Sequence, residues 1–198
     1  HLQAILEHRN PWDEKGTINW ALAYEKLGMK AEYESELTKL GAEPNNPQIW
    51  SVPVITGVTP NRVVKVFLDL GLAVYTYADD LDTAVPTNDR DPKNGSYRVS
   101  FKKTVEADSE QKNKSADDLK KEGTKAITLL ERLLLELGYF LATGNHLDIK
   151  NVTLCAGSRH SDGSVPRVYW LVDGREVFVD WHGTDTRDDR LRARAVVS

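Results

Sequence analysis

The sequence predicts an α+β domain built around a largely antiparallel sheet. Three observations carry that class. The stretch TKAITLLERLLLELGYFLATG at 124–144 places Ile127, Leu130, Leu134, Leu137 and Phe140 on one helical stripe, broadened by Leu133 and Leu135. Several short segments alternate with a period of two, the signature of half-buried strands. Helical and extended segments are mixed with no regular strand–helix–strand rhythm, which argues against a parallel sheet wrapped by helices.

The totals describe an ordinary globular chain. Its 198 residues suit one domain with a small appendage, and 40% hydrophobic with 28% charged residues suffices for a real core. A net charge of −4 argues against nucleic acid as the main partner, because phosphate binding needs clustered Lys and Arg. No run reaches the roughly 18 apolar residues of a membrane span. No secretory signal is visible, so a cytoplasmic protein is expected, although a chain starting at His1 leaves a processed precursor open. The single cysteine, Cys155, rules out an internal disulfide framework and any Cys-rich metal site. The sequon at Asn151 is then incidental.

Along the chain, residues 1–16 are polar and irregular and read as an arm. TINWALAYEKLG (17–28) is a helix with Thr17 as cap and Gly28 as stop; MKAEYESELTKLG (29–41) repeats the pattern through Tyr33, Leu37 and Leu40. These form a small helical extension over 1–41, ahead of a main domain at 42–198. In IWSVPVITG, a strand, Pro53 favours an edge. TPNRVVKVFLDLG (59–71) is a helix capped by Thr59 with Pro60 at its first position and Gly71 after its end. LAVYTYADDLD reads as a strand, VPTNDRDPKNG as a loop, and SYRVSFKKTVEA (96–107) as another strand. SEQKNKSADDLKKEG is charged and partly helical. After the central helix come strand NVTLCAG, the hairpin RVYWLVDGREVFVDWHG, a polar loop and a last strand, LRARAVVS.

The hairpin holds an oddity. One alternating set is uniform: Val168, Trp170 and Val172, then Val177, Val179 and Trp181. That is what packing against a core requires. The other set mixes Arg167, Tyr169, Leu171, Glu176, Phe178, Asp180 and His182, where a passive sheet would be mostly polar. Exposed aromatics beside Arg are the composition of a binding hot spot, and the flanking loops SRHSDGS and GTDTRDD share the Tyr, Ser, Gly, Asp and Arg bias of paratopes.

Composition also shifts at residue 151. Up to Lys150 the chain has fourteen Lys and five Arg; beyond it, seven Arg and no Lys. Asn occurs ten times up to Asn151 and never afterwards. Selection for planar Arg donors would explain the first change but not the second, since polar loops favour Asn. Lys and Asn share adenine-rich codons, which points to a cause at the level of nucleic acid.

Chemical motifs are weak. Asp180, His182 and Asp185 could ligate a metal from one strand end, but polar strand residues are commonly just exposed. Asp79, Asp80, Asp82, Asp89 and Asp91 lack the spacing of a calcium loop. Cys155 with His160 resembles a nucleophile and base, yet a cysteine between Leu154 and Ala156 is more simply a buried small hydrophobe. Ser158 and Ser161 lack the strand–turn–helix context of a hydrolase elbow. No catalytic residue, metal site or cofactor is expected.

The C-terminal segment LCAGSRHSDGSVPRVYWLVDGREVFVDWHGTDTRDDRLRARAVVS resembles the variable region of target proteins diversified by retroelements, in which an error-prone reverse transcriptase randomises template adenines. The resemblance implies a C-type-lectin-like fold: a mostly antiparallel twisted sheet, a central buried helix, and variable side chains displayed for a ligand. The variable region would span about 156–190. Variable, ligand-binding positions would be His160, Arg167, Tyr169, Leu171, Asp173, Asp180, His182, Thr184, Asp185, Thr186, Arg187, Asp188 and Asp189. Trp170, Trp181, Val168, Val177, Val179 and Leu191 would be scaffold. The lectin disulfides are missing, and Glu43-Pro44-Asn45, which matches a sugar-and-calcium motif, lies far upstream of where it belongs. The function implied is binding, of a protein ligand, with a homo-oligomer allowed. The alternatives are a small metal-assisted enzyme of related fold, or a structural subunit docked through residues 1–28.

Overall fold

The computed structural model describes residues 17–197. The arm read over residues 1–16 lies outside them. Helices and strands are mixed, as expected. Helices α1 (Trp20–Lys26) and α2 (Lys30–Glu36) open the chain. Strand β1 (Ile49–Val54) and helix α3 (Pro60–Asp69) follow, then β2 (Ala73–Thr76), the short α4 (Leu81–Ala84) and β3 (Thr87–Asn88). Next come β4 (Tyr97–Lys102), α5 (Ala116–Lys121) and α6 (Leu129–Thr143). The C-terminal part is β5 (Val152–Leu154), β6 (Ser158–Arg159), β7 (Val165–Leu171), β8 (Glu176–His182) and β9 (Leu191–Arg192).

Five strands form the principal sheet in the order β2-β8-β7-β5-β9. Its centre is antiparallel, β5 with β7 and β7 with β8, but both flanking pairs, β2 with β8 and β5 with β9, run parallel. The sheet is therefore mixed. Antiparallel pairs β1–β4 and β3–β6 stand apart from it.

Local chemistry explains most boundaries. The first helix starts later than its sequence suggests, because the Asn19 side chain, and not Thr17, accepts the orphan Leu22 amide. Thr59 and Pro60 start α3 as expected. Tyr33 of α2 is buried and Leu40 packs against the core beyond the helix, but Leu37, its C-cap, is exposed, so the predicted stripe is interrupted. The acidic run is used in turns: Asp80 caps α4, Asp91 caps a 3-10 turn at Pro92–Asn94, and Asp82 accepts from the Asn61 amide. In the predicted long strand at 96–107 only Tyr97–Lys102 is extended. The α6 helix begins at a reciprocal capping box between Thr128 and Glu131 and ends at left-handed Gly144.

Helix α6 is buried on nearly every side, including Glu131, Arg132 and Glu136. A buried charge needs partners, and each has them. Arg132 donates to Asp148 Oδ2 at 3.0 Å and to Glu136 Oε2 at 2.8 Å. Arg194 donates to Asp148 Oδ1 at 2.9 Å, and the Thr153 hydroxyl donates to Asp148 Oδ2 at 2.5 Å. Arg90 grips Glu131 at 2.7 Å through two nitrogens. This network ties the helix to β5 and to the C-terminal segment. Burial alone would raise the Asp148 carboxyl, but Arg194 and Arg132 outweigh it and hold the group below its ordinary value.

Candidate ligand-binding surface

Directly paired residues share a face, so the register of β7 and β8 sorts the hairpin. Val168 lies opposite Val179, and Trp170 opposite Val177. Val168, Val177 and Val179 are fully buried against the main core with α6, as predicted. The two tryptophans of this set sit near the strand ends and are only half-buried. Each is covered by a histidine: His146 lies on Trp170 at 3.4 Å between ring centres, and His160 on Trp181 at 4.2 Å. Val172 departs from the inner set altogether. It is 53% exposed, because the chain has entered the turn 172–175, where Arg175, and not Gly174, takes the left-handed conformation.

The other face has two halves. Over β5 and β9 it is closed by α5: Val152, Leu154, Val165 and Leu191 pack with Ala116 and Leu119 in a second apolar cluster. Over β7, β8 and β2 it carries an aromatic row. Tyr169 lies opposite Phe178, and Phe178 opposite Tyr75. The Tyr75 and Phe178 rings stack at 4.5 Å, and Tyr169 tilts on Phe178 at 5.2 Å. Tyr77 extends the row, 5.3 Å from Tyr75 and 5.5 Å from Trp181. Tyr75 is 39% and Tyr77 59% exposed, so the row keeps a broad aromatic surface in contact with solvent.

Five predicted variable residues join this surface: Arg167, Tyr169, Leu171, Asp180 and His182 all point to the outer face. One correction is needed. Asp180 is only 5% exposed, because Arg167 clamps it through two nitrogens at 2.5 and 2.6 Å. It supports the surface and displays little of itself. The Arg167 guanidinium also lies 5.9 Å from the Tyr169 ring centre. Burial, and then the Arg167 charge, hold the His182 imidazole below its ordinary value. His160 stacks instead on Trp181 of the inner set, and its ring meets Asp162 at 2.9 Å.

The remaining predicted positions lie elsewhere. Asp173 is exposed in the hairpin turn. Thr184 and Arg187 are bound to α5: the Thr184 hydroxyl donates to Asp117 at 3.0 Å, and Arg187 grips Asp118 through two nitrogens at 2.7 Å. Asp185, Asp188 and Asp189 are exposed on the same loop, and Thr186 is half-buried. Asp188 caps the loop by accepting the Arg190 amide at 2.7 Å. Eleven of the thirteen positions thus divide between the sheet surface and a separate loop docked on α5, while Asp173 stands in the hairpin turn and His160 against Trp181. Sequence reasoning missed Tyr75 and Tyr77. Their spacing of two in LAVYTYADD was the available signal, but a distant parallel pairing brings them beside Phe178.

Asp180, two residues before His182 on the same strand face, is engaged by Arg167. Among the described residues no group of three His, Cys, Asp or Glu is placed to hold a metal ion. Cys155 is fully enclosed, and burial pushes its thiol far above the ordinary range. No helix among the described residues is long and apolar enough to cross a membrane. No family model matches the chain, and neither curated proteins nor solved structures give a match.

Proposed function

We propose that the outer face of β2, β8 and β7 is a binding surface for a protein ligand, on a C-type-lectin-like domain whose C-terminal segment is diversified by a retroelement. The observation that carries the reading is the aromatic row Tyr169–Phe178–Tyr75, extended by Tyr77 and flanked by Arg167 and His182. Aromatic anchors with a neighbouring Arg bury large area at little cost in side-chain entropy, which is how compact protein interfaces gain affinity. The absence of Lys and Asn after Asn151 supports the second half of the proposal, since randomised adenines would remove their codons first.

Tyr75 and Tyr77 precede the variable segment, and Tyr169 is the one variable position in the aromatic row. A constant aromatic base beside changeable neighbours lets one surface keep general stickiness while its specificity moves. Sequencing of the DNA around the gene tests this account. It predicts a reverse-transcriptase gene and a near-copy of the segment coding for about 156–190, with adenines concentrated at the outward-facing positions. A locus with neither would end the diversification reading.

A further inference from the structure

A cleft of about 400 Å3 lies between the end of α5 with its following turn and the β3–β6 ribbon, away from the aromatic row. Three cations line it: Lys120, Lys125 and Arg159. Among the described residues none of the three is held in an ion pair, and two of the acids of α5 and its cap, Asp118 and Glu122, are paired with other cations. Asp118 is held by Arg187, Asp117 by Thr184, and Glu122 by Lys114 at 2.6 Å. The Arg159 guanidinium is fixed by backbone and not by a carboxylate, donating through Nη1 to the Ala156 and Ser158 carbonyls at 2.7 and 2.8 Å. Among the described residues, Asp89 is the one acid on the wall. Leu119 and Ala156 supply an apolar floor, and Thr87 and Thr124 supply hydroxyls.

We infer that this cleft is a second binding site, one that takes a small molecule bearing a phosphate monoester. Three cations facing one carboxylate leave an excess of positive charge that a phosphate dianion matches. The volume exceeds what a bare phosphate needs and falls in the range of small-molecule sites, so an organic body resting on Leu119 and Ala156 completes the fit. The pre-fixed Arg159 offers the planar donor set that oxyanions favour, with the two lysines as flexible point charges. This site belongs to the scaffold: apart from Ala156, Gly157 and Arg159, its walls precede the variable segment.

Titration of the full chain with phenyl phosphate, and separately with inorganic phosphate, at constant ionic strength tests the inference. Amide NMR shifts should saturate and centre on Gly123, Thr124, Lys125 and Arg159, with phenyl phosphate bound several-fold more tightly than inorganic phosphate. The exposed double variant Lys120→Gln/Lys125→Gln should keep its unfolding midpoint and bind at least about tenfold more weakly. Asp89→Asn should bind more tightly, which a merely structural perturbation would not produce. Shifts that never saturate, that spread over lysines elsewhere, or that persist unchanged in the double variant would overturn the site.

Discussion

Arg167 and Asp180 face one another across β7 and β8 and close a two-point ion pair with nitrogen–oxygen distances of 2.5 and 2.6 Å. Both belong to the set that the sequence marks as free to vary, yet neither is independent of the other. Removing one partner leaves a charge at a nearly closed site. Arg167→Ala and Asp180→Ala should each cost about 1–3 kcal/mol, and the double variant less than their sum by about 1 kcal/mol or more. A double-mutant cycle by urea unfolding measures this. Strictly additive losses would show that the pair contributes nothing of its own. Natural variants should change positions 167 and 180 together.

The aromatic row should be dispensable for folding. Tyr77→Ser removes a ring that is more than half exposed and should move stability by less than about 1 kcal/mol, whereas Val179→Ala, at a closed inner position, should lose about 2 kcal/mol. Chemical denaturation of the two variants side by side is the check. A larger loss in Tyr77→Ser than in Val179→Ala would mean that the outer face is structural.

Acid should unfold the protein through its interior. Asp148 is held below its ordinary value, so its contribution is present above the unfolded carboxylate value near 4 and is lost as pH falls through the folded value. The lowered His182 has the same sign and starts earlier, as pH falls through the ordinary histidine value of about 6.5. Asp148 has φ 55°, which Asn tolerates, so Asp148→Asn tests the charge without straining the backbone. At pH 7 that variant should lose about 3–5 kcal/mol, and its stability should fall less steeply below pH 4. A parallel acid profile in both proteins would contradict the assignment.

The loop at 183–190 should loosen when its tie to α5 is cut. The Arg187–Asp118 pair is exposed, so Arg187→Ala should change global stability by less than about 1 kcal/mol. Hydrogen exchange at Thr186 should nevertheless accelerate, since the loop then opens without unfolding the sheet. Unchanged exchange there would show that the loop is held by its own turn.

What was legible in the sequence is what local chemistry decides. Thr59, Pro60 and Gly71 bound α3 correctly, the leucines of 124–144 announce the central helix, and alternation separates Val168, Val177 and Val179 from their neighbours. What was hidden depends on distant chain. Arg132 and Glu136 look like solvent-facing residues until Asp148 and Arg194 are brought to them. Tyr75 and Tyr77 read as ordinary strand residues until β2 pairs in parallel with β8. The Arg167–Asp180 clamp lies between these cases: counting outward from the turn at 172–175 sets the two residues opposite, but burial of the pair follows only once the sheet is built.

Deep sequencing of this gene across a natural population tests the central claim most directly. The account predicts substitutions concentrated at outward or exposed positions such as Tyr169, Leu171, His182 and Asp185, with linked changes at 167 and 180. Val168, Val177, Val179, Tyr75 and Tyr77 should stay fixed. Substitutions spread evenly over the segment, or as frequent at the buried valines as at Tyr169, would contradict it.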